Sequence, residues 1–278
     1  MTETQAHSFP STASENTSDN QVLEFRDVAL QFQQNGQSLS IIQGVSFSLR
    51  HSEFISIVGP SGCGKTSLLR MVAGLTPVEM GQLLFRSQPI QGSLNSVGIA
   101  FQNPVLLPWR NTLQNVLLPL EIVQPYKQTF RQKLPEHITA AQELLATVGL
   151  DGFQKYYPWQ LSGGMRQRAS LCRALIHQPE LLLLDEPFGA LDAFTREDMW
   201  VMLQRLWQRT GCTSILVTHD LQEAVFLSDT IYVMSPRPSQ IVLRLRVNLP
   251  RPRTLEMCLT DEFYHFVAEV RKHIHRSY

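Results

Sequence analysis

Four groups of residues in this chain have types and spacing that could do chemistry, and the first is a phosphate-binding pattern. Gly59-Pro60-Ser61-Gly62-Cys63-Gly64-Lys65-Thr66 is a complete G-x-x-x-x-G-K-[ST] loop. Its glycines let backbone N–H groups turn inward around phosphate oxygens, and the following helix start adds partial positive charge. Lys65 has the reach for β- and γ-phosphates, Thr66 can place a hydroxyl on Mg²⁺, and Ser67 continues the same turn. Cys63 reads as a small filler whose backbone matters more than its thiol, with alkylation as a second reading. Further on, Leu181-Leu182-Leu183-Leu184 runs into Asp185-Glu186. Two adjacent carboxylates at the end of a buried strand are costly unless something uses them. Phosphate-bound Mg²⁺ would use Asp185, and Glu186 is placed to orient and deprotonate an attacking water. A solvated turn is the alternative account.

The third group is Leu161-Ser162-Gly163-Gly164-Met165 at the opening of a helix. Ser162 has the chemistry of an N-cap. Capping does not explain the paired glycines, which weaken a helix start. Nor does it explain Arg166 and Arg168 in the early turns, where the macrodipole disfavours cations. The fourth is His219. A lone histidine is more often structural, but this one follows a buried strand directly, at the edge where doubly wound sheets bind ligands.

The elements that must position these residues are legible as patterns. The apolar run 54–58 enters the phosphate loop as a strand, and 66–73 leaves it as a helix that ends at Gly74, with Pro77 beyond. Runs 22–32 and 39–49 read as strands joined by a turn with the Asn35-Gly36 hairpin signal. Phe32 stands at the turn end of the first. Residue type alone favours local packing for it, although its ring could stack on a flat heterocycle. Further strands are expected at 81–85, 97–101, 181–184, 213–218, 230–235 and 240–247. Gln102-Asn103-Pro104 breaks the regular structure. Proline then recurs at 108, 119, 125, 135 and 158, and helical patterns at 112–118 and 138–148 suggest a helical insertion over 103–160. Met165, Ala169, Cys172 and Ile176 fall on one helix face. A long helix pattern at 192–210 closes at Gly211, and a short one covers 221–226. After the basic connector Asn248-Leu249-Pro250-Arg251-Pro252-Arg253, residues Phe263, Phe266, Val267, Val270 and Ile274 form an apolar stripe, with Arg271, Lys272 and Arg276 off it. Docking on the parent domain is favoured over membrane binding for that helix.

Composition bounds the reading. A chain of 278 residues with 43% hydrophobic content can bury a sizeable core. No run reaches the ~18–20 apolar residues of a spanning helix. Lys plus Arg and Asp plus Glu are both 24, which gives no support for nucleic-acid binding through bulk charge. Four cysteines without a C-x-x-C pair read as reduced thiols, with no disulfide framework or zinc site. Residues 1–20 lack the apolar and basic regions of a secretory signal and are expected to be a disordered tail.

With these motifs in order, the chain resembles the ATP-binding subunit of an ABC transporter over residues 22–278. The run at 161–165 resembles the family's signature, 181–186 its Walker B strand and His219 its switch histidine. Gln102 falls where the family carries its Q-loop glutamine. Ala190-Leu191-Asp192 looks like the D-loop, with Gly189 where many members have Ser, and Phe32 matches the aromatic on which adenine stacks. The resemblance implies an α/β fold: a P-loop core of mostly parallel sheet flanked by helices, an antiparallel β subdomain and a helical insertion. The ATP-binding domain would span 22–247, followed by a connector and amphipathic helix over 248–278. It implies ATPase activity, with Glu186 and His219 catalytic and Thr66, Gln102 and Asp185 on the Mg²⁺ side. It also implies a head-to-tail pair of ATP-binding subunits, a homodimer being expected, in which Ser162, Gly163 and Gly164 meet the partner's ATP. Transmembrane permease subunits, a periplasmic or extracellular solute-binding protein and a peripheral place on the cytoplasmic membrane face would complete the assembly.

A narrower resemblance rests on Pro187-Phe188-Gly189-Ala190-Leu191-Asp192-Ala193-Phe194-Thr195-Arg196, Ser235-Pro236-Arg237-Pro238 and Leu249-Pro250-Arg251-Pro252-Arg253. These runs resemble importers of nitrate, sulfonates, taurine and bicarbonate. The competing reading is a soluble ABC ATPase acting on nucleic acid or ribosomes. Such proteins usually carry two ATP-binding halves or a long coiled-coil insertion, and this chain has one loop, one signature and no sustained heptads. An unrelated P-loop kinase or GTPase would leave the run at 161–165 unexplained.

Overall fold

The computed structural model describes residues 20–34 and 37–275. The expected tail, apart from Asn20, lies outside the described residues, as do the Asn35-Gly36 turn and Arg276. Two long strands, β1 (Gln21–Gln34) and β2 (Gln37–Arg50), pair antiparallel. Then come β3 (Phe54–Val58), α1 (Lys65–Val72), β4 (Met80–Phe85), the short β5 (Gln88–Pro89) and β6 (Val97–Ala100). Helices α2 (Thr112–Ile122), α3 (Tyr126–Thr129), α4 (Leu134–Thr147) and α5 (Gly163–Leu175) follow. The rest alternates: β7 (Leu181–Asp185), α6 (Ala193–Thr210), β8 (Thr213–Thr218), α7 (Leu221–Leu227), β9 (Thr230–Met234), β10 (Ile241–Arg246) and α8 (Asp261–His275). The helix expected at 112–118 runs on through Pro119. Asn111 starts it with a reciprocal cap: its side chain accepts from Gln114 N, and Gln114 Oε1 accepts from Asn111 N.

The central sheet has the order β10-β9-β3-β8-β7-β6, parallel except for β10. A second sheet, β2-β1-β4-β5, is antiparallel. The unbroken apolar run of β7 follows from its place between two layers. Leu182 and Leu184 pack with the helices, while Leu181 and Leu183 pack with β1, β2 and α1. Phe54 and Val58 join the first group, and Ile55 and Ile57 the second. Period-2 alternation thus feeds two cores from one strand, and neither face is left for solvent.

The connector before α8 is part of the packing. Arg253 is fully buried, and its Nη1 donates to the carbonyls of Val225 (2.6 Å), Phe226 (3.0 Å) and Ser228 (2.8 Å). It therefore caps the C-terminal end of α7, where unpaired carbonyls favour a cation. Burial pulls its guanidinium down to about 9. Arg251 binds Asp229 Oδ1 at 2.8 Å and lies 4.3 Å over the Trp207 ring. Phe263, Val267 and Val270 of α8 are buried, and α8 packs on α7, β9 and β10. Among the described residues, no helix is long and apolar enough to cross a membrane.

Candidate active site

Register brings the chemistry-bearing residues together. In the parallel sheet Val58 pairs with Thr218, Asp185 with Val217, and Ala100 with Leu184. The next residues along each chain are therefore neighbours at one sheet edge: Gly59 beyond β3, His219 beyond β8, Glu186 beyond β7 and Phe101-Gln102 beyond β6. With adjacent strands ~4.8 Å apart, four segments far apart in sequence converge at the carboxyl end of the sheet.

The loop 59–66 is held from outside. Arg237 Nε donates to Gly62 O at 2.5 Å, and Ser239 Oγ donates to Cys63 O. Carbonyls pinned outward leave the loop's N–H groups for the concave side. Gly64, the N-cap of α1, has φ +107°, which an L side chain would hold only under strain. Lys65 is buried, its Nζ donating to Gly59 O and Pro60 O at 2.9 Å each. Cys63 is buried too, and burial pushes its thiol up, so filler is the account that fits and alkylation is not. Phe32, by contrast, is 48% exposed on β1, opposite Leu39 of β2. Ile41 and Ile42 of β2 lie against Gly64, so the antiparallel sheet carries this ring beside the loop.

Asp185 Oδ1 accepts from Thr66 Oγ1 at 2.9 Å. Burial raises the Asp185 carboxyl above its ordinary range, and Glu186 adds to this. The Thr66 hydroxyl, Arg70 and Lys65 work the other way. Among the described residues no cluster of three or more His, Cys, Asp or Glu could hold a metal by itself. A hydroxyl and a carboxylate in contact are hard oxygen donors, the set that suits Mg²⁺ shared with phosphate oxygens and water. Glu186 has φ +44°, a left-handed backbone uncommon outside glycine, and its N–H donates to Val217 O at 2.8 Å. Its Oε2 lies 3.1 Å from His219 Nδ1. The imidazole is otherwise open, with the side chain 60% exposed. A Cβ built on Gly189 would sit 3.7 Å from His219 Cε1 and 3.8 Å from Gln102 Nε2, in ordinary contact with both, so Gly189 lies between these two side chains.

Ser162 caps α5, its Oγ accepting from Met165 N at 3.2 Å, with Leu161 buried beneath. No hydrogen bond joins 161–165 to the phosphate loop among the described residues. A Cβ at Gly163 would meet nothing within 4 Å, so nothing in the described fold requires glycine there. Gly164 lies close to Thr195, which accounts for the second glycine in part. The early cations have intrachain uses. Arg166 Nη1 donates to Leu161 O at 2.8 Å, and Arg168 Nη1 donates to Val148 O at 3.1 Å. Capping by Ser162 does not explain them, but these contacts do: Arg166 satisfies a carbonyl just before α5, and Arg168 one at the C-terminal end of α4. Asp192 caps α6 through Thr195 N at 3.0 Å, and that hydrogen bond holds its carboxyl below the usual range.

Several polar residues around this edge were assigned no role in the sequence. Gln167 is buried and its Nε2 donates to Phe101 O at 3.4 Å, tying α5 to the chain before Gln102. Asp220, Arg196, Thr218 and Glu223 form a network under His219. Arg196 had a signal as the end of the run 187–196, and Asp220 had one as the residue directly after the histidine.

Residues 42–189 match the protein family described as ABC transporter. The chain belongs to that family. It is 43% identical over 211 residues to the taurine import ATP-binding protein TauB of Escherichia coli O157:H7, covering 76% of this chain and 80% of that protein. It is also 43% identical over 210 residues to TauB of Shigella flexneri, with the same coverage. Its fold is similar to the dimeric ABC transporter cassette MJ0796, with TM-score 0.69 and 26% identity, covering 82% of this chain and 100% of that one. MJ0796 is also known as a post-hydrolysis dimer bound to ADP and Pi. CbiO1 of Clostridium perfringens, at 21% identity and TM-score 0.70 over 92% of this chain and 98% of its own, shares the fold. The chain is the ATP-binding subunit of an ABC transporter and an ATPase whose hydrolysis is coupled to transport.

Proposed function

We propose that this subunit powers uptake of a small anionic or zwitterionic sulfonate-type solute, taurine among them, through separate transmembrane permease subunits. The observation that carries the catalytic part is the register that aligns Gly59, His219, Glu186 and Gln102 along one sheet edge. The names of its relatives support the choice of solute. ATP lies on the loop of residues 59–66 and Ser67, its base on Phe32 and its phosphates on backbone N–H groups and Lys65. Thr66, Asp185 and Gln102 would hold Mg²⁺, which would shield phosphate charge. Glu186 orients the attacking water and takes its proton, and His219 steadies the γ-phosphate on the same face. Leu161, Ser162, Gly163, Gly164 and Met165 serve a second subunit's ATP, Gly163 giving a backbone N–H free approach to it. Asp192 contributes the D-loop side of that contact. Residues 22–247 make up the ATP-binding domain, with 103–160 its helical part next to the permease and 248–278 appended. The subunit sits at the cytoplasmic membrane face, beside a permease served by a solute-binding protein, and uses no nucleic acid.

The test is uptake of labelled taurine by cells that carry the chain, lack it, or carry Lys65→Ala. Uptake and ATP hydrolysis should both fall to background with Lys65→Ala, which removes the cation nearest the phosphates. Hydrolysis without any effect on taurine uptake would keep the ATPase and reject the solute. Co-purification from cell extract with ribosomes or DNA instead of multi-span membrane proteins would favour the soluble alternative.

A further inference from the structure

Arg196 belongs to the run that opens α6, and neither nucleotide binding nor the helix itself accounts for it. It stands in the first turn, where the macrodipole disfavours a cation. Its guanidinium forks. Nη1 donates to Asp220 Oδ2 at 3.0 Å, and Nη2 donates to Leu191 O at 2.9 Å. One planar group therefore holds both the D-loop backbone and the turn that carries His219.

That turn is fixed on both sides of the histidine. Asp220 divides its oxygens: Oδ2 takes Arg196, and Oδ1 accepts from Gln222 N (2.9 Å) and Glu223 N (3.1 Å) at the start of α7. Thr218 Oγ1 accepts from Asp220 N at 3.0 Å and donates to Glu223 Oε2 at 2.7 Å. The His219 imidazole itself bonds Glu186 and lies beside Gly189 at the head of the D-loop. A shift of Leu191 is thus passed through one rigid fork to the backbone on which the imidazole is mounted. Arginine suits this task because its fork is planar and pre-organised, whereas lysine reaches one acceptor well and not two in fixed directions.

We propose that Arg196 is a positioning residue for ATP hydrolysis, tying the D-loop to the His219 turn so that the D-loop's place in the dimer sets where the imidazole stands. This rests on the roles given to Asp192 and His219 under the proposed function. In a dimer the D-loop faces the second nucleotide while His219 faces the first, so Arg196 is where the two sites meet inside one subunit.

The experiment compares the full-length wild-type chain with Arg196→Lys, Asp220→Asn, the double variant and His219→Ala. Melting temperature and steady-state ATP hydrolysis are measured for each. Arg196→Lys keeps a cation for Asp220 and loses the fork. Asp220→Asn keeps an oxygen to cap α7 and loses the charge. Both should melt within about 3 °C of wild type. Both should lose kcat by roughly 10- to 100-fold, as a small misplacement of a catalytic group does, with KM for ATP within about twofold because neither touches ATP. The double variant should be no worse than the poorer single, since both break one link. Wild-type kcat in Arg196→Lys, a loss confined to KM, a loss that tracks melting, or additive losses would each overturn the inference. His219→Ala separates the levels. If it abolishes hydrolysis while Arg196→Lys is normal, only the inference falls. If it hydrolyses normally, the role of His219 falls and the inference with it.

Discussion

Glu223→Gln should change how stability depends on pH. Glu223 lies on α7 and is 2% exposed. Its Oε2 accepts from Thr218, and its Oε1 is buried with no partner. Burial pushes the carboxyl up to about 8, and the neighbouring Asp220 and Glu186 charges add to this. The Thr218 hydroxyl and the Arg196 guanidinium oppose it. The folded protein therefore keeps a proton here that the unfolded chain releases above its ordinary 4.5. Between those two values the folded state binds more protons, so stability is fully present below the lower one and is lost as pH rises toward the upper. The slope for one proton is about 1.4 kcal/mol per pH unit, or about 3 kcal/mol between pH 5.5 and 7.5. Glutamine keeps the shape and the acceptor for Thr218 without a titrating proton. At pH 5 the two proteins should be nearly equal, because the neutral acid and the amide each bury one poorly satisfied polar group. At pH 7.5 the variant should be the more stable by a few kcal/mol. Denaturant unfolding of both proteins at half-unit steps from pH 5 to 8.5 measures this. Subtracting one curve from the other cancels groups shared by both, including Asp185. Parallel curves across the range, or a variant that gains stability toward acid, would refute the reasoning.

Glu186→Gln should retain ATP binding and lower hydrolysis by ~10²–10⁴, the usual loss for a general base, and should yield a dimer in gel filtration only with Mg-ATP. Undiminished turnover would remove Glu186 from the mechanism. If Ser162 serves the second subunit's nucleotide, as proposed, Ser162→Arg should leave ATP affinity of the dilute chain unchanged and block hydrolysis. Weakened binding by the monomer would contradict a role in trans. Phe32→Ala should weaken ATP binding by about 1–3 kcal/mol, the scale of aromatic–base stacking, as titration calorimetry would read. A drop in melting temperature with unchanged affinity would make the ring a packing residue instead.

The local chemistry of this protein was legible in one dimension. A strand running into a glycine-rich loop and out through a helix is a contiguous pattern, so 54–72 needed no tertiary information. The same holds for the four leucines before Asp185-Glu186, whose unbroken apolarity already implied a strand covered on both faces. The stripe at 263, 267 and 270 announced a helix face, because burial on one side leaves a 3.6-residue signature. Other features had no such signature. The stripe did not say that α7, β9 and β10 would cover it. Parallel register decides which strand ends are neighbours, and register is set by pairings between segments more than 100 residues apart, such as Val58 with Thr218. That is why the sequence could nominate His219 and Glu186 separately but could not put 3.1 Å between them. Long polar side chains were the least legible. Arg166 and Arg168 looked misplaced against the helix dipole until the carbonyls of Leu161 and Val148 came into view. Arg253 read only as part of a basic connector until α7 ended against it. A guanidinium reaches several ångströms from its own backbone, so its partners are chosen by whatever the fold brings within reach. The candidates for phosphate chemistry could be nominated from the sequence because backbone geometry and residue type suffice to nominate them. The supports beneath them, Arg196 between Leu191 and Asp220 above all, were decided only when the tertiary structure brought those distant loops together.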